Sequence, residues 1–292
     1  MSSDPITSAS LVRMKKKGER IVCLTCYDAA FCRVLEAAGV DVLLVGDSLG
    51  MVLQGQATTV PVNLEHMVYH TRCVSNVRER ALLIADMPFL SYATPQRAFS
   101  AAERLMGEGG AAMVKLEGGA AVVETVRALT RFGAPVCAHL GLLPQSVHQL
   151  GGYRYQGKDD ASSAAIRADA LSLQDAGASM LVLECVPQQL ASDLSVELEI
   201  PVIGIGAGNR CNGQVLVLHD LLGLTPGRRP RFSHNFMDGS SSIAEAIVAY
   251  VTAVRSGKFP GPEHTCFDAM ACSADALKDR SSPVVMAQHV GL

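Results

Sequence analysis

The sequence predicts a single (β/α)8 TIM barrel with a short N-terminal helix and a poorly patterned C-terminal tail. Short apolar runs without polar alternation recur along the 292 residues, as in strands that are buried on both faces of a parallel sheet. Segments with a helical period separate these runs, and signals of antiparallel hairpins are lacking. The alternation favours a closed barrel, with an open doubly wound sheet as the alternative.

The N-terminal half of the chain contains four of the predicted strands. A short amphipathic helix precedes them, with Leu11, Val12 and Met14 on its apolar side. The continuous apolar runs predict strands at 20–25, 42–45, 81–85 and 112–116. Apolar residues at a 3.6-residue period predict helices between them at 31–38, 62–75 and 95–107.

The C-terminal half repeats the same unit. The predicted strands are 135–138, 180–183, 201–205 and 215–218, and the helices are 122–129, 161–176 and 243–255. We therefore assign residues 1–267 to one barrel domain. Residues 268–292 lack a core pattern, and we expect a mobile or surface-draped tail that catalysis does not need.

The composition narrows the function classes. A net charge of −3, only 18% charged residues and the absence of a basic stripe argue against a nucleic-acid partner. No apolar run approaches the ~18 residues of a membrane span, so we expect no membrane association. The nine cysteines are odd in number and lack paired metal spacing, and no signal peptide is recognisable. We expect reduced thiols and a cytoplasmic location.

Acidic residues follow four of the predicted strands: Asp47, Asp86, Glu117 and Glu184. A single acid after one strand would be better interpreted as a helix cap, but the repetition favours a functional site. The carboxyl ends of all strands meet at one mouth of a barrel, where such folds hold their active sites. We expect the four acids to converge there, joined by Lys115 and His139.

Converging acids indicate a metal site. Without a cation they would repel one another and raise one another's pKa. A carboxylate site without cysteines suits Mg²⁺, with Mn²⁺ as the second choice. Because Mg²⁺ uses one or two carboxylates, we predict Asp47 and Asp86 as direct ligands and Glu117 as a direct or water-mediated ligand. Glu184, two strands further round, could then act as a base.

Lys115 lies two residues before Glu117, so both side chains point to the same face of the strand. Three interpretations are open for this lysine. It could anchor a substrate carboxylate, form a Schiff base, or serve only as an internal ion-pair partner. The predicted metal site favours the anchor.

Three further features carry less weight. His66 and His70 are four residues apart but lack the glutamate of a zinc protease motif, so we interpret them as structural. The glycine-rich segment 204–209 resembles a phosphate loop only weakly. The long segment 140–160 could be a lid over the acids.

Seven segments stand out along the chain: LVGDSLGM (44–51), LIADMPFLSY (83–92), VKLEGG (114–119), HLGLLPQS (139–146), GGYRYQG (151–157), LVLECVP (181–187) and PVIGIGAG (201–208). Taken together, in one collinear set that covers residues 21–267, they resemble ketopantoate hydroxymethyltransferase. Small departures from the family pattern occur at Cys26, Ala138 and Leu143, and none of them falls on a proposed ligand. The tail lies beyond the usual end of the family.

The resemblance implies a TIM-barrel enzyme of pantothenate and coenzyme A synthesis. Such enzymes transfer a hydroxymethyl group from 5,10-methylenetetrahydrofolate to 3-methyl-2-oxobutanoate, with Mg²⁺, and give ketopantoate. The small-molecule partners implied here are therefore a 2-oxo acid and a folate. Related proteins form rings of five that pair into decamers, which implies a homo-oligomer.

The resemblance also implies residue roles. Asp47 and Asp86 would bind the metal, and Glu117 would complete its site. Glu184 would be the proton acceptor. The residues that would contact the keto acid are Asp47, Ser48, Asp86, Lys115 and His139.

Three other functions stay open on the sequence. A Mg²⁺-dependent lyase of the isocitrate lyase or phosphoenolpyruvate mutase type would use similar acids, but its catalytic cysteine motif is not found. An aldolase would use Lys115 as a Schiff-base nucleophile. A non-catalytic protein that binds carboxylates is the third.

Overall fold

The computed structural model describes residues 4–225 and 229–266. Its eight strands are β1 (Ile21–Thr25), β2 (Val42–Val45), β3 (Leu82–Asp86), β4 (Met113–Glu117), β5 (Val136–Gly141), β6 (Met180–Glu184), β7 (Val202–Ile205) and β8 (Gly213–Leu216). All pair in parallel in chain order, and β8 returns to β1. The predicted closed barrel is confirmed, and the open sheet is excluded.

The strands are apolar on both faces because the barrel interior and the surrounding helices cover them. Nearly every strand residue is buried. This double burial explains why the strands show continuous apolar runs rather than alternation.

Helices surround the barrel and connect successive strands. The α-helices are α1 (Ser8–Lys16), α2 (Ala29–Ala37), α3 (Leu49–Val52), α4 (Leu64–Ser75), α5 (Pro95–Glu103), α6 (Val123–Arg131), α7 (Val147–Leu150), α8 (Asp160–Asp175), α9 (Gln188–Glu197), α10 (Leu218–Leu221) and α11 (Ile243–Arg255). Local signals start several of them: the Asp28 side chain accepts a hydrogen bond from Phe31 N at α2. Thr94 caps α5, where Pro95 occupies the first turn.

Several elements differ from the sequence prediction. β8 begins at Gly213, two residues before the predicted strand, and α10 follows it. The strand position is fixed by pairing with β1 and β7, and the partners of Gly213 are Ile21 and Ile203. α9 was not predicted, because its residues 188–197 show only a weak apolar period. Residues 104–108 extend α5 as a π-helical turn.

The cysteines require one correction. Among the described residues seven cysteines are free, six of them buried, as predicted. Cys266, however, is disulfide-bonded, so the prediction of reduced thiols is wrong for this residue. An odd count with irregular spacing argues against a disulfide framework, but it does not exclude a single bridge.

The described residues contain no helix that is long and apolar enough to cross a membrane. The predicted tail, 268–292, lies outside the described residues, as does the proposed domain end at residue 267.

The last helix holds the barrel closed where β8 meets β1. The buried Tyr250 hydroxyl of α11 lies 2.9 Å from Cys23 O on β1 and 3.1 Å from Gln214 O on β8, and it donates to these two carbonyls. Burial raises the pKa of this hydroxyl well above its usual value, so it stays a donor. One side chain thus joins the first strand, the last strand and the last helix.

Replacement of Tyr250 by phenylalanine should lower the free energy of unfolding by about 1 to 2 kcal/mol, since it removes a buried donor from two carbonyls. Urea denaturation measures the change. The matched control is Tyr69→Phe. Tyr69 is 58% exposed, so removal of its hydroxyl leaves no buried group without a partner and should change the stability little. Equal stability of the two variants would show that the Tyr250 hydrogen bonds do not stabilise the closure.

Candidate active site

The carboxyl ends of the strands surround a cavity of about 100 Å³. All seven residues predicted for the site line it: Asp47, Ser48, Asp86, Lys115, Glu117, His139 and Glu184. The opposite wall is mainly apolar and includes Val182, Ile205, Val215 and Phe232. The structure therefore brings the predicted residues together beside an apolar surface.

Lys115 forms a buried ion pair with Asp86. The two residues are partners in the register of β3 and β4, and Lys115 Nζ lies 2.7 Å from Asp86 Oδ1. Burial alone would lower the pKa of Lys115, but the charges of Asp86, Glu117 and Asp47 outweigh it and raise the pKa. The lysine is therefore a permanent cation. Its ammonium group has three donors, so it can bind a substrate anion while still contacting Asp86.

Asp47 lies directly beside Asp86. Its backbone N–H donates to Asp86 Oδ2 at 3.1 Å, and its side chain is 3% exposed. Burial, followed by the charges of Asp86 and Glu117, raises the pKa of Asp47 well above its usual value. Without a bound cation, this carboxyl favours its neutral form.

His139 lies between two acids. Its Nδ1 is 3.4 Å from Glu117 Oε1, and its Nε2 is 3.4 Å from Glu184 Oε2. These are ion-pair contacts rather than well-formed hydrogen bonds. Burial and the charge of Lys115 oppose protonation, but the two carboxylates outweigh them and raise the pKa of His139 to about 9. The imidazolium in turn helps to lower the pKa of Glu117 against the opposing effect of burial.

Ser48 lies at the start of α3, next to the acids. Its hydroxyl is 2.9 Å from the hydroxyl of the buried Tyr27. Gly46 leaves room for the Ser48 side chain, because a Cβ atom at residue 46 would lie only 2.8 Å from Ser48 Oγ and 3.5 Å from Asp86 Oδ2. Packing therefore explains why a glycine precedes Asp47, which the sequence pattern only suggested.

Gln145 is a central residue that the sequence reasoning missed. Its Nε2 donates to Asp47 Oδ2 at 2.8 Å and to Met87 O at 2.9 Å. Its backbone N–H donates to Glu117 Oε2 at 3.1 Å. Only its place in the segment HLGLLPQS, directly after a strand that ends at the mouth, could have drawn attention to it.

Two of the features given little weight, the histidine pair and the glycine-rich segment, have local structural contacts. The His66 side chain accepts a hydrogen bond at the start of α4, and His70 Nδ1 contacts Tyr27 O at 2.8 Å. Gly208 in the glycine-rich segment packs closely against Gln188. In the predicted lid segment, Leu142, Pro144 and Tyr153 do line the cavity, so its position agrees with that prediction.

The donor set fits a divalent ion held by few protein ligands. In residues 4–225 and 229–266, no three His, Cys, Asp or Glu side chains are arranged to hold one metal ion by themselves. Asp47 and Asp86 are adjacent hard oxygen donors, and each of them, like Glu117, already contacts a donor of the protein. Two carboxylates supplemented by water or substrate oxygens match the preference of Mg²⁺.

Fold and site together define a TIM-barrel enzyme whose active site is rich in carboxylates. The family model for ketopantoate hydroxymethyltransferase matches residues 5–262. The chain belongs to this family.

Curated relatives support the same assignment. A 3-methyl-2-oxobutanoate hydroxymethyltransferase of Alkalilimnicola ehrlichii is 59% identical over 89% of this chain and 94% of the relative. The enzyme with that name from Ralstonia pickettii is 55% identical over 89% and 95%. The predicted family and enzyme class are confirmed. A solved phosphoenolpyruvate phosphomutase from Streptomyces platensis subsp. rosaceus shares the fold, with a TM-score of 0.57, 14% identity and coverage of 75% and 83%.

Replacement of Lys115 by methionine should lower the free energy of unfolding by about 3 to 5 kcal/mol, because Asp86 would remain buried without its cation. Urea denaturation in the absence of metal measures this loss. Lys17→Met is the matched control, since the Lys17 side chain is 68% exposed and should contribute little. A similar stability of both variants would contradict the view that Lys115 holds the acids together.

Proposed function

We propose that this hydroxymethyltransferase uses 5,10-methylenetetrahydrofolate as its one-carbon donor and requires Mg²⁺ to convert 3-methyl-2-oxobutanoate into ketopantoate. The observation that carries the proposal is the cavity in which Lys115, Asp47, Asp86 and Glu184 meet. It combines an anchor for an anion, hard oxygen donors for an ion and a reachable base. A location in the cytoplasm and assembly into a decamer stay predictions from the resemblance.

The substrate carboxylate would be held by Lys115 and Ser48. Lys115 is a permanent cation with donors to spare, and the Ser48 hydroxyl lies in the same cavity. Two contacts of this kind would fix the orientation of a small 2-oxo acid, which removes much of the entropy cost of reaction. The apolar wall would receive the branched carbon chain.

Asp47 and Asp86 would hold Mg²⁺, with Glu117 contacting it directly or through water. When bound, the ion would stabilise negative charge on the keto oxygen and so make the proton on C3 more acidic. The raised pKa of Asp47 favours this role, since a bound cation would shift that acid to its charged form.

Glu184 would accept the proton from C3. Its side chain is 14% exposed, more than that of any other acid in the cluster, so a substrate can reach it. His139 contacts the carboxylate at 3.4 Å and would hold it in place. The carbon nucleophile formed at C3 would then attack the one-carbon unit carried by the folate. The C–N bonds to that carbon break, tetrahydrofolate leaves, and water supplies the oxygen of the new hydroxymethyl group.

A Schiff-base aldolase is a weaker candidate for the same cavity. Its lysine has to lose a proton before it attacks a carbonyl. The raised pKa of Lys115 and its contact with Asp86 oppose that step.

The direct test combines the protein with 3-methyl-2-oxobutanoate, 5,10-methylenetetrahydrofolate and Mg²⁺, and detects ketopantoate by mass spectrometry. We expect product with all three components and loss of product when the metal is chelated. Borohydride in the presence of substrate should leave Lys115 unmodified. Full activity after metal removal, or trapping of Lys115, would overturn the proposed mechanism.

Asp47→Asn should weaken Mg²⁺ binding by about 10- to 100-fold or more, because it removes a charged ligand while the amide oxygen can still accept from Gln145. Isothermal titration calorimetry measures the affinity. The metal-free variant should unfold at the same or a higher urea concentration, since one of several repelling acids is gone. The exposed Asp175→Asn is the control. Unchanged Mg²⁺ affinity would place the ion elsewhere.

Glu184→Gln should strongly slow proton abstraction while it preserves substrate binding. With substrate deuterated at C3 and Mg²⁺ but no folate, the native protein should exchange the label with water, and NMR follows this exchange. The variant should exchange about two to four decades more slowly, the usual contribution of a positioned base. Glu199→Gln, at an exposed position, should exchange normally. Intact exchange in Glu184→Gln would indicate another base, with His139 next in line.

A further inference from the structure

Gln145 contacts three neighbouring strand ends at once. It lies in the short turn Pro144–Ser146 after β5 and is only 4% exposed. Its side chain reaches Asp47, which follows β2, and Met87 O, which follows β3. Its backbone N–H reaches Glu117 at the end of β4.

The orientation of the Gln145 amide is determined by its neighbours. Met87 O is a carbonyl and can only accept a hydrogen bond, so the NH₂ group has to face it. The same group reaches Asp47 Oδ2 at 2.8 Å. On the other side, the Tyr92 hydroxyl donates to Gln145 Oε1 at 2.6 Å. Both ends of the amide therefore have hydrogen-bond partners, which fix its orientation.

This arrangement acts on one acid in particular. The hydrogen bond from Gln145 engages Oδ2 of Asp47, and it is a charge-assisted bond whenever this acid is ionised. It therefore favours the charged form and limits rotation of the carboxylate. Partners that orient metal ligands in this way commonly change metal affinity or activity by about 10- to 100-fold when they are removed.

We infer that Gln145 is a positioning residue that orients Asp47 for binding of a divalent cation and thereby connects the loop after β5 to the ion site. The inference rests on the proposed function only in that Asp47 is taken as a ligand of Mg²⁺. It assigns no direct contact between Gln145 and the ion or the substrate.

The test measures Mg²⁺ affinity by calorimetry, without substrate, for the native chain and for Gln145→Met. Methionine has a similar length and shape but cannot donate to Asp47. We expect the dissociation constant for Mg²⁺ to increase by about 10- to 100-fold. The matched control is Gln149→Met, four residues further along the same loop, where the side chain is exposed; its affinity should equal that of the native chain.

A second variant separates positioning from folding. Gln145→Asn keeps the amide but is one methylene shorter, so it should lose the contact with Asp47 and show the same weaker binding. Circular dichroism verifies that each titrated sample is folded, and the titration then reports only on folded protein. If Gln145→Met does not fold, Gln145→Asn decides the question alone.

The outcomes distinguish the inference from the function on which it rests. Mg²⁺ binding by the native chain together with unchanged affinity, within twofold, in a folded Gln145 variant overturns the positioning role and leaves the proposed function intact. Absence of Mg²⁺ binding by the native chain overturns the metal-dependent function, and this inference with it. Weaker binding in the Gln145 variants but not in Gln149→Met supports the inference.

Discussion

The burial of several acids around one lysine is the constraint on which the rest of the site depends. Asp47, Asp86 and Glu117 are each 5% exposed or less, and buried charges are unfavourable unless they are paired. Lys115 pairs with Asp86, and His139 pairs with Glu117. The excess negative charge is relieved in the metal-free protein by the raised pKa of Asp47. A divalent cation, as proposed, would relieve the same excess charge.

The barrel register produces these pairs. Asp86 lies opposite Lys115 across β3 and β4, and Glu117 lies opposite His139 across β4 and β5. Residues that pair across adjacent parallel strands point to the same side of the sheet, so their side chains come into contact. Each acid is therefore next to a cation because the strands align in that register. Any shift by one residue would turn the acids away from the cavity and into the packed layer of helices.

The parts of the structure that depend on local pattern could be predicted from the sequence. An acid directly after a continuous apolar run is placed at the barrel mouth by the strand alone, which is why Asp47 and Glu184 could be predicted. Gln145 could not be predicted, because its partner Asp47 is 98 residues away and the contact depends on how a loop returns over the mouth. The start of β8 at Gly213 was missed for the same reason, since pairing with neighbouring strands rather than an apolar run determines it.

The acids differ in how far they are exposed to solvent, and this difference agrees with the roles proposed for them. A group that binds a cation benefits from burial, because electrostatic attraction is stronger where water is excluded. A group that accepts a proton from carbon has to reach the substrate and has to be released from strong ion pairs. Glu184 is the acid that meets the second condition, with 14% exposure and a contact of 3.4 Å to His139 in place of a short ion pair. His139 contacts both Glu117 and Glu184, so one ring connects the side of the cavity proposed to bind the ion with the acid proposed to accept the proton.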